Sequence, residues 1–234
     1  MRVALHGFTA TPAMWRSVGI EGPAILGHGP QAQAHGDETF ATEVSRLTAL
    51  LPKEPVHLVG YSLGARLSLA IAIAHPNRIR SLSLIGVNPG IEDSALREQR
   101  VASDATWSKV LRGQGLAAFV DKWESLPLWE TQSRMPSARK DALRAERMSH
   151  NPEQLARAMD ALGTGSMPPM WDALATLAVP VQIIVGALDS KYTVIGTRIS
   201  QMLSNASLHL IEGSGHNPVF EDPQSVRNVI NEMA

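Results

Sequence analysis

The stretch VHLVGYSLGARLSLAIAIAH (56–75) constrains this chain more than any other. A short run of Val and Leu ends at Gly60, and a second apolar run resumes at Leu63, so strand, tight turn and helix follow one another without a spacer. Between them lies G-x-S-x-G, a pattern expected by chance roughly 0.1 times in a chain of this length at average Gly and Ser frequencies. In that strand-to-helix context it presents the serine, Ser62, at the top of a sheet on a strained turn. An ordinary Gly-Ser turn is the plain alternative. The turn is followed by a cation, Arg66, one helical turn into the segment that carries the serine.

The rest of the chain repeats the same alternation. Short apolar runs occur at RVAL (2–5), PAIL (23–26), VHLVG (56–60), IRSLSLIG (79–86), PVQIIVG (180–186) and SLHLIEG (207–213). Their apolarity is continuous rather than alternating, which predicts strands covered on both faces and a largely parallel sheet. FATEVSRLTALL (40–51) places Phe40, Val44, Leu47 and Leu51 on one helical face, and PQSVRNVINEMA closes the chain with another amphipathic pattern. Strands alternating with helices predict an α/β doubly wound fold.

Between about 88 and 177 the alternation stops. Helical patterns replace it: SALREQRVASDATWSKVL, GLAAFVDKWESL, SARKDALRAERMSH and PEQLARAMDALG. Four of the five tryptophans and eight of the sixteen arginines fall in this stretch. It reads as a helical cap (88–177) inserted into one discontinuous α/β core made of 1–87 and 178–234. The first strand runs directly into LHGF (5–8), with no strand pattern ahead of it.

A serine needs a base and an orienting carboxylate. Asp189, in GALDSK, and His216, in GSGHNP, each follow a predicted strand, at the carboxyl ends where open α/β sheets gather their sites. The order Ser62, Asp189, His216 makes these the candidate triad. His209 falls inside a strand pattern, His75 at a helix end, His28 in a loop that equally suits a tight turn, and Asp172 at a helix start. The amides of Phe8 and Leu63 are the candidate oxyanion donors.

Composition narrows the function classes. A net charge of −1 gives no general reason to expect nucleic acid or an anionic membrane as partner, and no apolar run approaches a membrane span. With no cysteine there is no disulfide, thiolate metal site or thiol nucleophile. The histidines lack metal-ligand spacing, and GHGPQAQAHG (27–36) lacks a dinucleotide fingerprint's context, so neither metal nor cofactor is expected. A cytoplasmic protein, monomer or homodimer, is expected.

Assembled, HGF, GYSLG, GALDSK and GSGHNP resemble the α/β-hydrolase superfamily along the whole chain. Within it, GYSLGARL, NPGIEDSALREQRVASDATW, FVDKWESLPLW, the Arg144/Arg147 helix followed by HNP, LGTGSMPPMWDAL and GALDSKY are similar to the 2-succinyl-6-hydroxy-2,4-cyclohexadiene-1-carboxylate synthases, pyruvate-eliminating lyases of menaquinone biosynthesis. That resemblance implies a small substrate bearing three carboxylates, with Ser62 acting as a general base and not as a nucleophile. It implies Arg66, Arg100 and Arg147 as substrate arginines, with Arg97 as the alternative to Arg100, and Tyr61 and Trp123 lining the pocket. The planar guanidinium suits bidentate carboxylate binding. Arg97, Arg139 and Arg144 also fit a solvated helix face. A hydrolase using the same triad as nucleophile is the rival activity, and a catalytically idle ligand-binding fold is the remote one.

Overall fold

The computed structural model describes residues 1–31, 33 and 36–233. Five parallel strands form one sheet in the order β1 (Arg2–Leu5), β2 (Val56–Tyr61), β3 (Ile79–Ile85), β4 (Val181–Gly186) and β5 (Ala206–Ile211). Helices α1 (Phe40–Leu50), α2 (Leu63–Ala74) and α6 (Ser190–Met202) connect or flank them, and α7 (Pro218–Glu221) and α8 (Pro223–Asn231) finish the chain. Between β3 and β4 lie α3 (Ser94–Glu124), α4 (Ser137–Arg147) and α5 (Pro152–Leu162).

Continuous apolarity has the expected consequence for the inner strands. Leu5, Leu58, Leu82, Leu84 and Ile183 pack with α1, α2 and α6 on one face, while Ala4, Val59, Ile85 and Ile184 pack with Trp15, Val226 and Ile230 on the other. Each face removes its side chains from water at about 25 cal/mol per Å². Helix α1 starts at a reciprocal Thr39/Thr42 capping box and buries Phe40, Val44 and Leu47.

PAIL (23–26) forms no strand, contrary to expectation. One backbone bond, Ala4 N–H to the Glu21 carbonyl (2.9 Å), draws this segment alongside β1. The next amides are taken by side chains: Ile25 N–H donates to His6 Nε2 (3.0 Å) and Leu26 N–H to Glu43 Oε1 (2.9 Å). A ladder cannot continue once its donors are used elsewhere. Residues 32, 34 and 35 of the GHGPQAQAHG stretch lie outside the described residues.

Helix α3 breaks at Gly115, whose φ of 83° and ψ of 176° are open to glycine alone. The break turns Phe119 and Val120 onto Leu155 and Ala156 of α5, giving the 88–177 segment its own small apolar cluster. Its two connections to the sheet are tied together, Met170 N–H to the Pro89 carbonyl (2.7 Å) and Trp171 Nε1–H to the Gly90 carbonyl (2.9 Å).

Candidate active site

The turn after β2 is as tight as the sequence requires. Ser62 has φ 50° and ψ −106°, a region that L-residues adopt only when their surroundings force it. The forcing comes from close packing at the flanking glycines. A Cβ on Gly64 would lie 2.1 Å from the Leu5 carbonyl oxygen, and one on Gly60 would lie 2.5 Å from the Gly64 carbonyl oxygen. Helix α2 can therefore begin directly against the end of β1.

His216 meets this serine from the loop after β5. Its Nε2 is 3.2 Å from Ser62 Oγ, and its Nδ1 is 2.7 Å from Asp189 Oδ2. The carboxylate fixes the tautomer: Nδ1–H donates to Asp189, which leaves Nε2 free to accept the Ser62 proton. Asp189 is also the N-cap of α6, its Oδ1 accepting from Tyr192 N–H at 3.2 Å. Helix α6 thus aims the carboxylate, and the side chains of both Asp189 and His216 are buried. Among the described residues, neither the Phe8 nor the Leu63 amide donates to a protein acceptor.

These groups open on a cavity of about 130 Å³ lined by Phe8, Tyr61, Ser62, Leu63, Arg66 and Arg100, and closed above by Trp123, Trp129 and Met159. A larger cleft beside Pro12 and Arg46 is lined by His28 and Ser149, but among the described residues no hydrogen bond joins these two.

The sequence model of the Alpha/beta hydrolase family matches residues 3–229. The chain belongs to the alpha/beta hydrolase family. Within it the chain falls among the 2-succinyl-6-hydroxy-2,4-cyclohexadiene-1-carboxylate synthases. The synthase so named from Enterobacter sp. (strain 638) is 30% identical over 96% of this chain and 87% of its own length. The one from Salmonella paratyphi C (strain RKS4594) is 30% identical over 96% of this chain and 89% of its own length. The structure of MenH from S. aureus superposes with a TM-score of 0.94 at 30% identity, covering 99% of this chain and 92% of that one. A thermophilic esterase from Thermogutta terrifontis has a TM-score of 0.84 at 22% identity, covering 99% and 88%, a likeness of fold alone.

Within this α/β-hydrolase framework the candidate arginines separate. Arg66 is buried at 8% exposure, donates from Nη1 to the Leu162 carbonyl (2.8 Å) and touches Met167 Sδ (3.3 Å). No carboxylate pairs with it among the described residues. Burial lowers its pKa to about 10, so it remains a cation at neutral pH. Arg100 also lines the cavity, with Nε held by Asp104 at 2.7 Å. Arg97 stays outside the lining and donates to the Ile91 carbonyl (3.1 Å).

Arg147 is not brought to the serine. It is enclosed behind Trp129, 5.3 Å from that ring, and pairs with Glu124 at 2.9 Å. Arg144 forms an ion-pair fork with Asp121 and Glu124, and Arg139 donates to the Phe220 carbonyl. Tyr61 and Trp123 both line the cavity, Trp123 stacked on Phe119. His28 sits behind Phe8 and outside the cavity, and His75 caps α2.

The lining residues that the sequence does not single out include Trp129, Lys191 and Tyr192. The Tyr192 ring centroid is 4.3 Å from that of His216. Its place three residues after Asp189 was the available signal, because a residue in the first turn of a capped helix faces the same way as its cap.

Among the described residues no three His, Asp or Glu side chains group to hold a metal, and no helix is long and apolar enough to cross a membrane.

Proposed function

We propose that this chain eliminates pyruvate from 2-succinyl-5-enolpyruvyl-6-hydroxy-3-cyclohexene-1-carboxylate to give 2-succinyl-6-hydroxy-2,4-cyclohexadiene-1-carboxylate, with Ser62, His216 and Asp189 as a base relay. The observation that carries the reading is Arg66, a buried cation without a carboxylate, lining the same cavity as Ser62. An uncompensated buried charge is costly, and a substrate carboxylate offsets that cost. An ester substrate without charge would not.

In this reaction Ser62 Oγ takes the ring proton next to the succinyl ketone as its own proton passes to His216 Nε2. The electron pair enters the ketone, whose oxygen is met by the Phe8 and Leu63 amides. It then returns through the ring to break the carbon–oxygen bond to the enolpyruvyl group. Pyruvate leaves as its enolate and is protonated by the imidazolium. No bond to Ser62 forms. Base, oxyanion donors and cations all come from this chain, so the route calls for no cofactor.

Arg66 and Arg100 hold carboxylates, with Tyr61 and Trp123 as walls. Arg147 acts from behind Trp129. The 88–177 segment is the cap that selects the substrate. Its walls must give to admit a tricarboxylate, since about 130 Å³ is below the ~300 Å³ of ordinary ligand pockets. We place the activity in the cytoplasm, in a monomer or homodimer, a cysteine-free chain suiting a reducing compartment.

The test is pyruvate release from the enolpyruvyl substrate, run beside turnover of p-nitrophenyl acetate and repeated with Ser62→Ala. Pyruvate release lost in the variant supports the relay. Full release in Ser62→Ala, or strong preference for the ester, overturns it.

A further inference from the structure

The loop that carries the Phe8 amide is gripped from outside the core. Ala10 N–H closes on the Gly7 carbonyl at 3.2 Å, making a four-residue turn with Phe8 and Thr9 at its centre. Thr9 has φ 65°, at the turn position where a positive φ favours Gly or Asn and where a β-branched residue is strained. Left alone, such a turn relaxes to negative φ and rotates its peptide planes.

Two side chains from the far end of α4 and the turn after it oppose that relaxation. Glu146 Oε1 accepts from both Thr11 N–H (2.7 Å) and Thr11 Oγ1–H (2.6 Å). His150 Nε2–H donates to the Thr9 carbonyl (3.0 Å), and its Nδ1 accepts from Gly29 N–H (2.9 Å). Behind the loop, the His28 ring meets both His150 (5.5 Å between centroids) and Phe8 (5.3 Å) edge to face. The two anchors are 135 and 141 residues away in sequence from the groups they hold, and both lie in the segment inserted between β3 and β4.

We propose that Glu146 and His150 are positioning residues. By holding Thr11 and the Thr9 carbonyl they lock the strained Gly7–Ala10 turn and so aim the Phe8 amide into the Ser62 cavity, making the oxyanion donor dependent on the docking of the inserted segment. This deepens the lyase reading, and its activity readout rests on that reading.

The test compares the full chain with Glu146→Ala, Glu146→Gln and Thr11→Val. Two quantities are measured: hydrogen exchange of the backbone amides in residues 7–12, and steady-state pyruvate release. In Glu146→Ala, exchange in that peptide speeds up at least tenfold. Its kcat drops by on the order of 10- to 100-fold, while KM stays within about twofold, as expected for a displaced transition-state donor. Thr11→Val, which deletes one of the two bonds, moves both quantities less. Glu146→Gln keeps an acceptor oxygen and restores both.

Unchanged exchange in Glu146→Ala overturns the clamp whatever the activity does. Faster exchange with unchanged kcat shows a structural contact only and also overturns the proposal. If the parent chain releases no pyruvate, the lyase reading fails by itself. Exchange together with the rate of p-nitrophenyl acetate turnover then decides the clamp by the same criteria.

Discussion

Arg66 reaches from the first turn of α2 to the carbonyl of Leu162 at the end of α5, 2.8 Å away, and that carbonyl is its one oxygen partner among the described residues. A guanidinium has five N–H donors, so most of this one is available to a ligand. Replacing it with Ala should lower kcat/KM for the tricarboxylate about 10- to 100-fold, the range of a charge-assisted hydrogen bond worth about 1.5–3 kcal/mol. Arg66→Lys recovers only part of this, because a point charge cannot make the bidentate contact. The thermal midpoint of Arg66→Ala should hold or rise, since a costly buried charge is gone. Steady-state kinetics with a melting curve checks all three, and an unchanged kcat/KM would rule out the contact.

Asp189 performs two tasks with two oxygens, and substitution separates them. Asp189→Asn keeps the cap on α6, because Asn is as good an N-cap as Asp, but loses the carboxylate on His216 Nδ1. Activity should fall on the order of 10³–10⁴-fold with little change in unfolding free energy. Asp189→Ala should show the same kinetic loss and a further stability loss of about 1 kcal/mol. Equal stabilities for the two variants would mean that the cap bond contributes nothing.

At the turn, Gly64→Ala forces a methyl group to within 2.1 Å of the Leu5 carbonyl oxygen, and both partners are backbone. Neither β1 nor α2 can move without opening the sheet. The expected loss is about 4 kcal/mol or more, enough to abolish soluble expression in a protein of ordinary stability. A Gly64→Ala protein that folds with a near-parental melting point would refute the close-approach account.

Several buried histidines make stability depend on pH. His6 donates from Nδ1 to the Gly7 carbonyl and accepts at Nε2 from Ile25 N–H, so a second proton would confront a donor. His57 Nε2 meets the Ser83 hydroxyl, which itself donates to Gln182. Burial holds both imidazoles neutral down to about 4, and lowers His28 and His150 as well. In the unfolded chain they take up protons near 6.5. Between pH 6.5 and 4 the unfolded state therefore binds more protons, and stability falls as pH drops through that window. Above 6.5 these groups contribute no pH dependence. His6 alone gives a slope of up to about 1.4 kcal/mol per pH unit. Urea unfolding at pH 7.5 and pH 5 should show a lower midpoint at pH 5, with a smaller drop in His57→Gln. Matching midpoints at the two pH values would contradict this.

Local pattern along the chain was enough for the strand–turn–helix around Ser62, five of the six expected strands and the helical character of 88–177. Each of these rests on local pattern: apolar runs, a glycine pair, caps and a period of 3.6. It also placed Ser62, Asp189 and His216 at strand ends, which is enough for convergence once the sheet is parallel. What it could not decide is how groups far apart in the chain share one another's hydrogen bonds. PAIL reads as a strand until His6 and Glu43 take its amides. Arg66 and Arg147 read alike as helix arginines, yet one meets only a carbonyl and a thioether beside the serine, while the other is neutralised by Glu124 behind Trp129. Nothing in the local pattern marks Thr9, yet its positive-φ turn is met by Glu146 on Thr11 and by His150 on its own carbonyl, both from the inserted segment. Pairing across the fold allots buried donors, acceptors and charges. That allotment is invisible in local pattern and is settled only when distant segments pack together.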